Sequence, residues 1–295
     1  MIGKVLTKAL LQKGYHVIIL SREPAKHPQG NNLSYAAWDI GQQTIDTNAI
    51  TKADHIIHLA GAGVADKRWT KKRKQEIIDS RVKSGALLVK ALQENTNRVK
   101  TVVSASAIGW YGPDPVVPNP VPFTETAPAD PGFLGQTCFE WEQSLQPITG
   151  MGKRLVQLRI GIVLSAEGGA LAEFKKPLRM GVATILGNGK QVISWIHIDD
   201  LVKMYIKAIE DDSMQGPYNA VAPLPVVNKE LILCLARNKK RFYIPVHVPA
   251  FVLKIVLGEM SIEVLKSATV SAAKIKTTGF DFSFPSIADA IRDLG

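Results

Sequence analysis

Apolar positions along the chain recur with two alternating periods, and the alternation predicts an open α/β sheet. Val5, Leu6, Ala9 and Leu10 make a helical stripe that Gly14 stops, and Tyr15-His16-Val17-Ile18-Ile19-Leu20 then reads as a buried strand. Leu33 to Trp38 predicts another short strand, and His55 to Leu59 one more. A long helix is expected over 70–93, a buried strand over 100–104, a helix over 133–145 and a strand over 154–160. Prolines crowd 113–131 too densely for regular structure. Strand and helix in regular alternation imply a doubly wound parallel sheet. After Gly161 the pattern loosens into glycine-rich turns at 168–169 and 187–189, as in a smaller substrate lobe. The expected division is a nucleotide-binding domain over 1–165 and a lobe over 166–295, with some lobe segments returning to the sheet. The stripe over 246–257 predicts an amphipathic helix packed on that lobe.

The first helix begins almost at Met1. In a dinucleotide fold, such a helix follows a strand and a G-x-x-G-x-x-G turn, of which only the last glycine, Gly3, stands here, after Ile2. That strand belongs in the middle of the sheet. Losing five or six buried residues at ~1.5–3 kcal/mol each would exceed the ~5–15 kcal/mol that holds a domain together. The expectation is therefore a working protein with roughly ten further residues upstream.

Composition narrows the classes. Apolar content of 46% and charge of 21% are those of an ordinary globular protein. A formal charge of +10 raises nucleic acid as a partner, yet recognition-helix, aromatic RNA-binding and metal-finger patterns are all missing. A basic mouth for phosphorylated ligands explains the sign more simply. Cys138 and Cys234 stand far apart, which suggests neither a zinc site nor a disulfide framework. The stretch is without a signal peptide or a spanning apolar run, so a cytoplasmic protein with no membrane and no nucleic-acid partner is expected.

Two short segments carry candidate chemistry. The strand over 15–20 runs out at Ser21-Arg22, where NAD sites place an acid for the ribose 2′-hydroxyl; an arginine suits a 2′-phosphate, which favours NADP(H). A surface Ser-Arg at a strand end is the plainer alternative. Leu59-Ala60-Gly61 closes a later strand with small residues that let a flat ligand lie on backbone, or merely let strand and helix pack tightly. Six cations follow within 67–74. Most of that run reads as a solvated helix start, with Arg68 and Arg73 as candidates for an anionic ligand.

The segment HIIHLAGAGVADKRWTKKRKQEIIDSR (55–81) resembles an epimerase-like family, an atypical branch of the extended short-chain dehydrogenases with a C-terminal region of unknown function, DUF1731. The likeness continues in SASAIGWYG (104–112), FLGQTCFEWE (133–142), LRIGIVLSAEGGAL (158–171), SWIHIDDL (194–201), NAVAPLPVVNKE (219–230), VLGEM (256–260) and TTGFDFSFPSIADA (277–290). It implies a Rossmann-like domain and a DUF1731-like region over about 245–293. It also implies cofactor contacts at Ile2, Gly3, Glu76 and Arg81, with Val163 beside the nicotinamide. For Glu76 and Arg81 a structural ion-pair role stands as the alternative, and for Val163 core packing. Ser106 matches the position of the active-site serine in extended short-chain dehydrogenases, though a lone serine after a strand is more often a turn former or helix cap.

One departure limits what the resemblance implies. Short-chain dehydrogenases use Tyr-x-x-x-Lys as proton donor and its tuner; the corresponding positions here are Phe133 and Thr137, and no tyrosine has a lysine four residues on. Nucleotide-sugar relatives carry an arginine shortly before the His-Ile-Asp-Asp motif, where this chain has Ile193 and Ser194. Two functions follow as expectations. One is an NADP(H)-dependent oxidoreductase or epimerase-like enzyme acting on an unidentified small molecule, with Ser106 polarising an oxygen. The other is a non-catalytic NADP(H)-binding redox sensor.

Overall fold

The computed structural model describes residues 1–239 and 242–295. α1 (Ile2–Gln12) buries Leu6 and Leu10, one turn apart, and stops before Gly14, which turns the chain at a φ of 84°. β1 (Val17–Ser21) follows, and β2 (Leu33–Asp39) pairs with it in parallel, Val17 opposite Leu33. β3 (Thr44–Ile45) adds antiparallel to β2. α2 (Thr47–Lys52) starts at Asp46, whose carboxylate accepts from the Asn48 N–H at 2.9 Å, and leads to β4 (His55–His58). α3 (Lys71–Glu94), capped by Thr70, delivers the chain to β5 (Thr101–Ala107). α4 (Phe133–Leu145) and β6 (Arg154–Ile160) complete the first half.

The second half is more broken. It holds β7 (Ile162–Leu164), α5 (Ala170–Arg179), β8 (Val182–Leu186), β9 (Val192–Ile193), β10 (Trp195–His197), α6 (Ile198–Glu210) and β11 (Gly216–Ala220). β12 (Val226–Val227), α7 (Asn228–Asn238), β13 (Ile244–Val248), α8 (Ala250–Leu257), α9 (Ser261–Leu265), α10 (Ala273–Thr277) and α11 (Ile287–Leu294) finish the chain. β11 returns to the main sheet and pairs in parallel with β6, giving the order β11-β6-β5-β4. α6 returns as well, and its Leu201 and Tyr205 join Leu6 and Leu10 of α1 over Val103 and Val156. On the opposite face Leu88 and Leu92 of α3 pack with Leu145 over Val102 and Leu155. Alternate residues of β5 and β6 thus feed two helical layers, the doubly wound Rossmann-like arrangement. A separate core, with Leu171, Ile185, Trp195, Leu231 and Ile291, holds the lobe.

The sheet has a break. β1-β2-β3 forms one block and β11-β6-β5-β4 another; among the described residues β1 pairs only with β2, and β4 only with β5. The proline-rich connection over 113–131 lacks helices, as expected, and is held by a buried carboxylate. Asp114 accepts from the hydroxyls of Ser267 and Thr269 at 2.8 Å each and from the Thr269 N–H at 2.9 Å. The expected helix over 246–257 is corrected: Ile244–Val248 is strand, and the helix begins only at Ala250. Pro249 is the reason, since it holds Val248 extended and serves as the helix N-cap. Among the described residues no helix is long and apolar enough to cross a membrane.

Candidate cofactor cleft and active site

The exit of β4 brings Leu59, Ala60 and Gly61 beside the first turn of α1 and Arg81. Leu59 and Ala60 are half-buried and Gly61 is exposed. A Cβ added at Gly3 would lie 3.6 Å from Leu59 Cδ1, so the first turn of α1 stands beside that exit, with Ile2 half-buried next to it. No side chain caps this turn and no acid lies in it, which leaves its N–H groups and positive end open to an anion. At Gly61 a Cβ would come within 3.1 Å of Arg81 Cζ, so a side chain there would push the guanidinium back from this loop. Ser21 ends β1, with its Oγ accepting from the Glu23 N–H at 3.2 Å. Arg22 is exposed and free of ion pairs among the described residues. Val163 lies half-buried in β7, opposite Ile196 of β10.

Four other candidates are spent on protein partners. Glu76 pairs with Arg73 at 2.8 Å, and that hydrogen bond holds its carboxyl below the ordinary carboxylate range. Arg73 is buried and also donates to the Gly63 carbonyl, with Asp66 at 3.6 Å. Arg81 donates from Nη1 to the carbonyls of Ala62 and Ile77, both at 3.0 Å, and lies over the Trp141 ring at 4.9 Å. Arg68 donates to the Ile255 carbonyl at 3.0 Å. These side chains fasten the 61–70 loop and dock α8 against it. Arg73 is thus buried and paired with Glu76, while Arg68 stays exposed and gives one nitrogen to a carbonyl of α8.

Ser106 is placed differently from expectation. It sits in β5 opposite Arg159 of β6, is 2% exposed, and donates to Glu142 Oε1 at 2.7 Å. Glu142 in turn accepts Arg159 as a fork, Nε to Oε1 at 2.8 Å and Nη2 to Oε2 at 2.9 Å. Arg159 also lies over the Trp110 ring at 3.6 Å and donates to the Tyr111 hydroxyl at 3.1 Å. Tyr111 donates onward to Asn219 Oδ1 at 2.6 Å, and burial pushes its hydroxyl up to about 12. In this conformation the Ser106 hydroxyl is therefore engaged by Glu142. Thr137, at the usual lysine position, donates to the Phe133 carbonyl at 2.7 Å. Burial raises the Cys138 thiol to about 12, so it carries no thiolate near neutrality.

Sequence reasoning missed the Glu142–Arg159 pair and the role of His58. The signal for the pair was Gln157 and Arg159 at alternate positions of an apolar strand, polar groups that demand partners within the helix layer. His58, the residue before Leu59, is fully enclosed between the hydroxyls of Ser84 at 2.9 Å and Ser104 at 3.2 Å. Burial, helped by the nearby Arg81 charge, lowers its pKa to about 4, so the ring is neutral at ordinary pH.

The NAD dependent epimerase/dehydratase family matches residues 1–134, and a domain of unknown function, DUF1731, matches residues 248–294. The epimerase family protein SSP1921 of Staphylococcus saprophyticus is 36% identical over 298 residues, spanning all of this chain and 96% of its own. The epimerase family protein YfhF of Bacillus subtilis is 35% identical, over 99% of this chain and 94% of its own. Among solved structures, the human epimerase family protein SDR39U1 (isoform 2) with NADPH superposes with a TM-score of 0.86 at 27% identity, covering 100% of this chain and 95% of that one. UDP-glucose 4-epimerase of Thermotoga maritima, solved with UDP-glucose, has a TM-score of 0.80 at 18% identity over 99% of this chain and 93% of that one, a likeness of fold.

Proposed function

This chain belongs to the NAD-dependent epimerase/dehydratase family, in the group ending in a DUF1731 domain, and on that premise we propose that it is an NADP(H)-dependent oxidoreductase of epimerase-like type. The observation that carries the reading is the approach of α1 to the exit of β4: the turn at Ile2 and Gly3, without a side-chain cap, stands beside Leu59, ahead of the small residues Ala60 and Gly61. Arg22, exposed and free of ion pairs among the described residues, supplies a cation just after β1. The human relative solved with NADPH supports the choice of dinucleotide. The α1 turn would hold the pyrophosphate, Ser21 and Arg22 the 2′-phosphate, and Val163 the wall beside the nicotinamide. Bound NADP(H) supplies the hydride. The protein's share is placement, with Arg81 and Arg73 keeping the 61–70 loop in shape behind Gly61. The substrate is a small carbonyl or alcohol whose proton comes from solvent, since Ser106, Thr137 and Tyr111 are all internally bonded.

That same bonding favours a second reading, a non-catalytic NADP(H)-binding redox sensor. Purified protein with NADPH, mixed with pools of aldehydes, ketones and sugars, separates the two. Sustained loss of reduced nicotinamide absorbance supports the enzyme; tight binding without consumption supports the sensor. Arg22→Asp tests the cofactor assignment by calorimetry. It should weaken NADPH roughly tenfold to a hundredfold, the size of a lost charge-assisted contact, and leave NADH nearly unchanged. Equal losses for both cofactors remove Arg22 from the 2′-phosphate.

A further inference from the structure

α8 is turned inside out for a lobe helix. Its one buried residue is Leu253, whereas Phe251, Ile255 and Val256 are 63%, 70% and 61% exposed, and Ile262 of α9 is 60% exposed. Phe251 and Ile255 lie one turn apart and share a face, with the exposed Lys254 beside them. The basic segment leading into α3 is docked against this region, through Arg68 on the Ile255 carbonyl of α8 and an ion pair from Lys74 to Glu259 just beyond that helix. Nearby acids are already matched: Asp66 and Glu76 face Arg73, Glu259 faces Lys74 and Glu263 faces Lys266. Lys67, Arg68, Lys71, Lys72 and Lys254 are exposed and have no ion-pair partner among the described residues.

We propose that α8 and the basic start of α3 together form a peripheral docking surface for an anionic lipid bilayer. An exposed apolar helix face rimmed by unpaired cations is the arrangement that sinks side chains into the acyl boundary and leaves cations at phosphate level. Charge decides among occupants. A second copy meeting this face across a two-fold axis would bring the same five cations toward their own images, and the whole chain carries +10. A negatively charged lipid surface matches both features. This departs from the expectation of no membrane partner; it concerns attachment to a surface and not spanning.

Co-sedimentation tests it, with equimolar phosphatidylglycerol/phosphatidylcholine vesicles against pure phosphatidylcholine at low salt. The bound fraction should be at least about tenfold greater on the anionic vesicles. Phe251→Ser with Ile255→Ser, and separately Lys71→Glu with Lys72→Glu, should each lower it about tenfold, while light scattering shows one unchanged mass in solution. Equal association with both vesicles, or none with either, overturns the proposal. So does a concentration-dependent dimer that the Phe251/Ile255 variant dissolves, which would assign the face to a second copy. If an acidic peptide (a glutamate-rich oligomer) competes for the wild-type protein while vesicles do not bind, the face belongs to a protein partner.

Discussion

Glu142→Ala should cost about 3–5 kcal/mol of folding stability, as should Arg159→Ala, each read as a large fall in the denaturation midpoint. Both side chains are almost wholly enclosed, at 5% and 3% exposed, so either truncation strands a buried charge with nothing to answer it. The fork of two short bonds, the Ser106 hydroxyl and the Trp110 ring all aim at this pair. Removing both charges together, as Glu142→Leu with Arg159→Met, should recover much of the loss, because paired apolar side chains of similar volume strand no charge and leave only the Ser106 hydroxyl to find another acceptor. A single truncation that costs less than about 1 kcal/mol would mean the pair does not organise this core. The comparison also bears on function. If Glu142 is purely architectural, the apolar pair keeps cofactor binding, whereas loss of NADPH affinity in a stable double variant would bring the network into the site.

Acid should destabilise the folded protein through His58 in particular. Its folded-state pKa of about 4 lies below the ordinary 6.5, so the folded protein resists a proton that the unfolded chain accepts. The contribution is fully present above about pH 6.5, shrinks as pH falls, and is gone near pH 4, amounting to about 3 kcal/mol over that interval. His58→Gln keeps a polar group between Ser84 and Ser104 but does not titrate. The parent's stability should therefore fall more steeply than the variant's between pH 7 and pH 4.5. Identical slopes, or a His58 resonance that titrates above pH 6 in the folded protein, would contradict the enclosed neutral ring.

Sequence periodicity was enough for the layers. The helix expected over 133–145 is α4 to the residue, and the strand over 154–160 is β6. Those signals are local, since a stripe or an alternation is written within a dozen residues. β11 went unseen because Gly-Pro-Tyr-Asn-Ala has no strand pattern; it becomes a strand only through its ladder with β6. The fate of Ser106 was illegible for a similar reason. Its partner is 36 residues away on a helix whose Glu140 and Glu142 look equivalent in sequence, yet only Glu142 turns inward. Arg73 shows the same limit, because a basic run does not reveal which cation will be buried against the neighbouring loop.

The Asp114 anchor has a kinetic consequence. Its carboxylate joins the proline-rich connection over 113–131 to Ser267 and Thr269, and the Phe123 N–H donates to the Thr269 carbonyl at 2.8 Å beside it. Segments held by such shared contacts open together as one cooperative unit. Amide protons of Phe123 and Thr269 should accordingly lose protection at the same denaturant concentration, and Asp114→Ala should bring both forward, followed by deuterium uptake residue by residue.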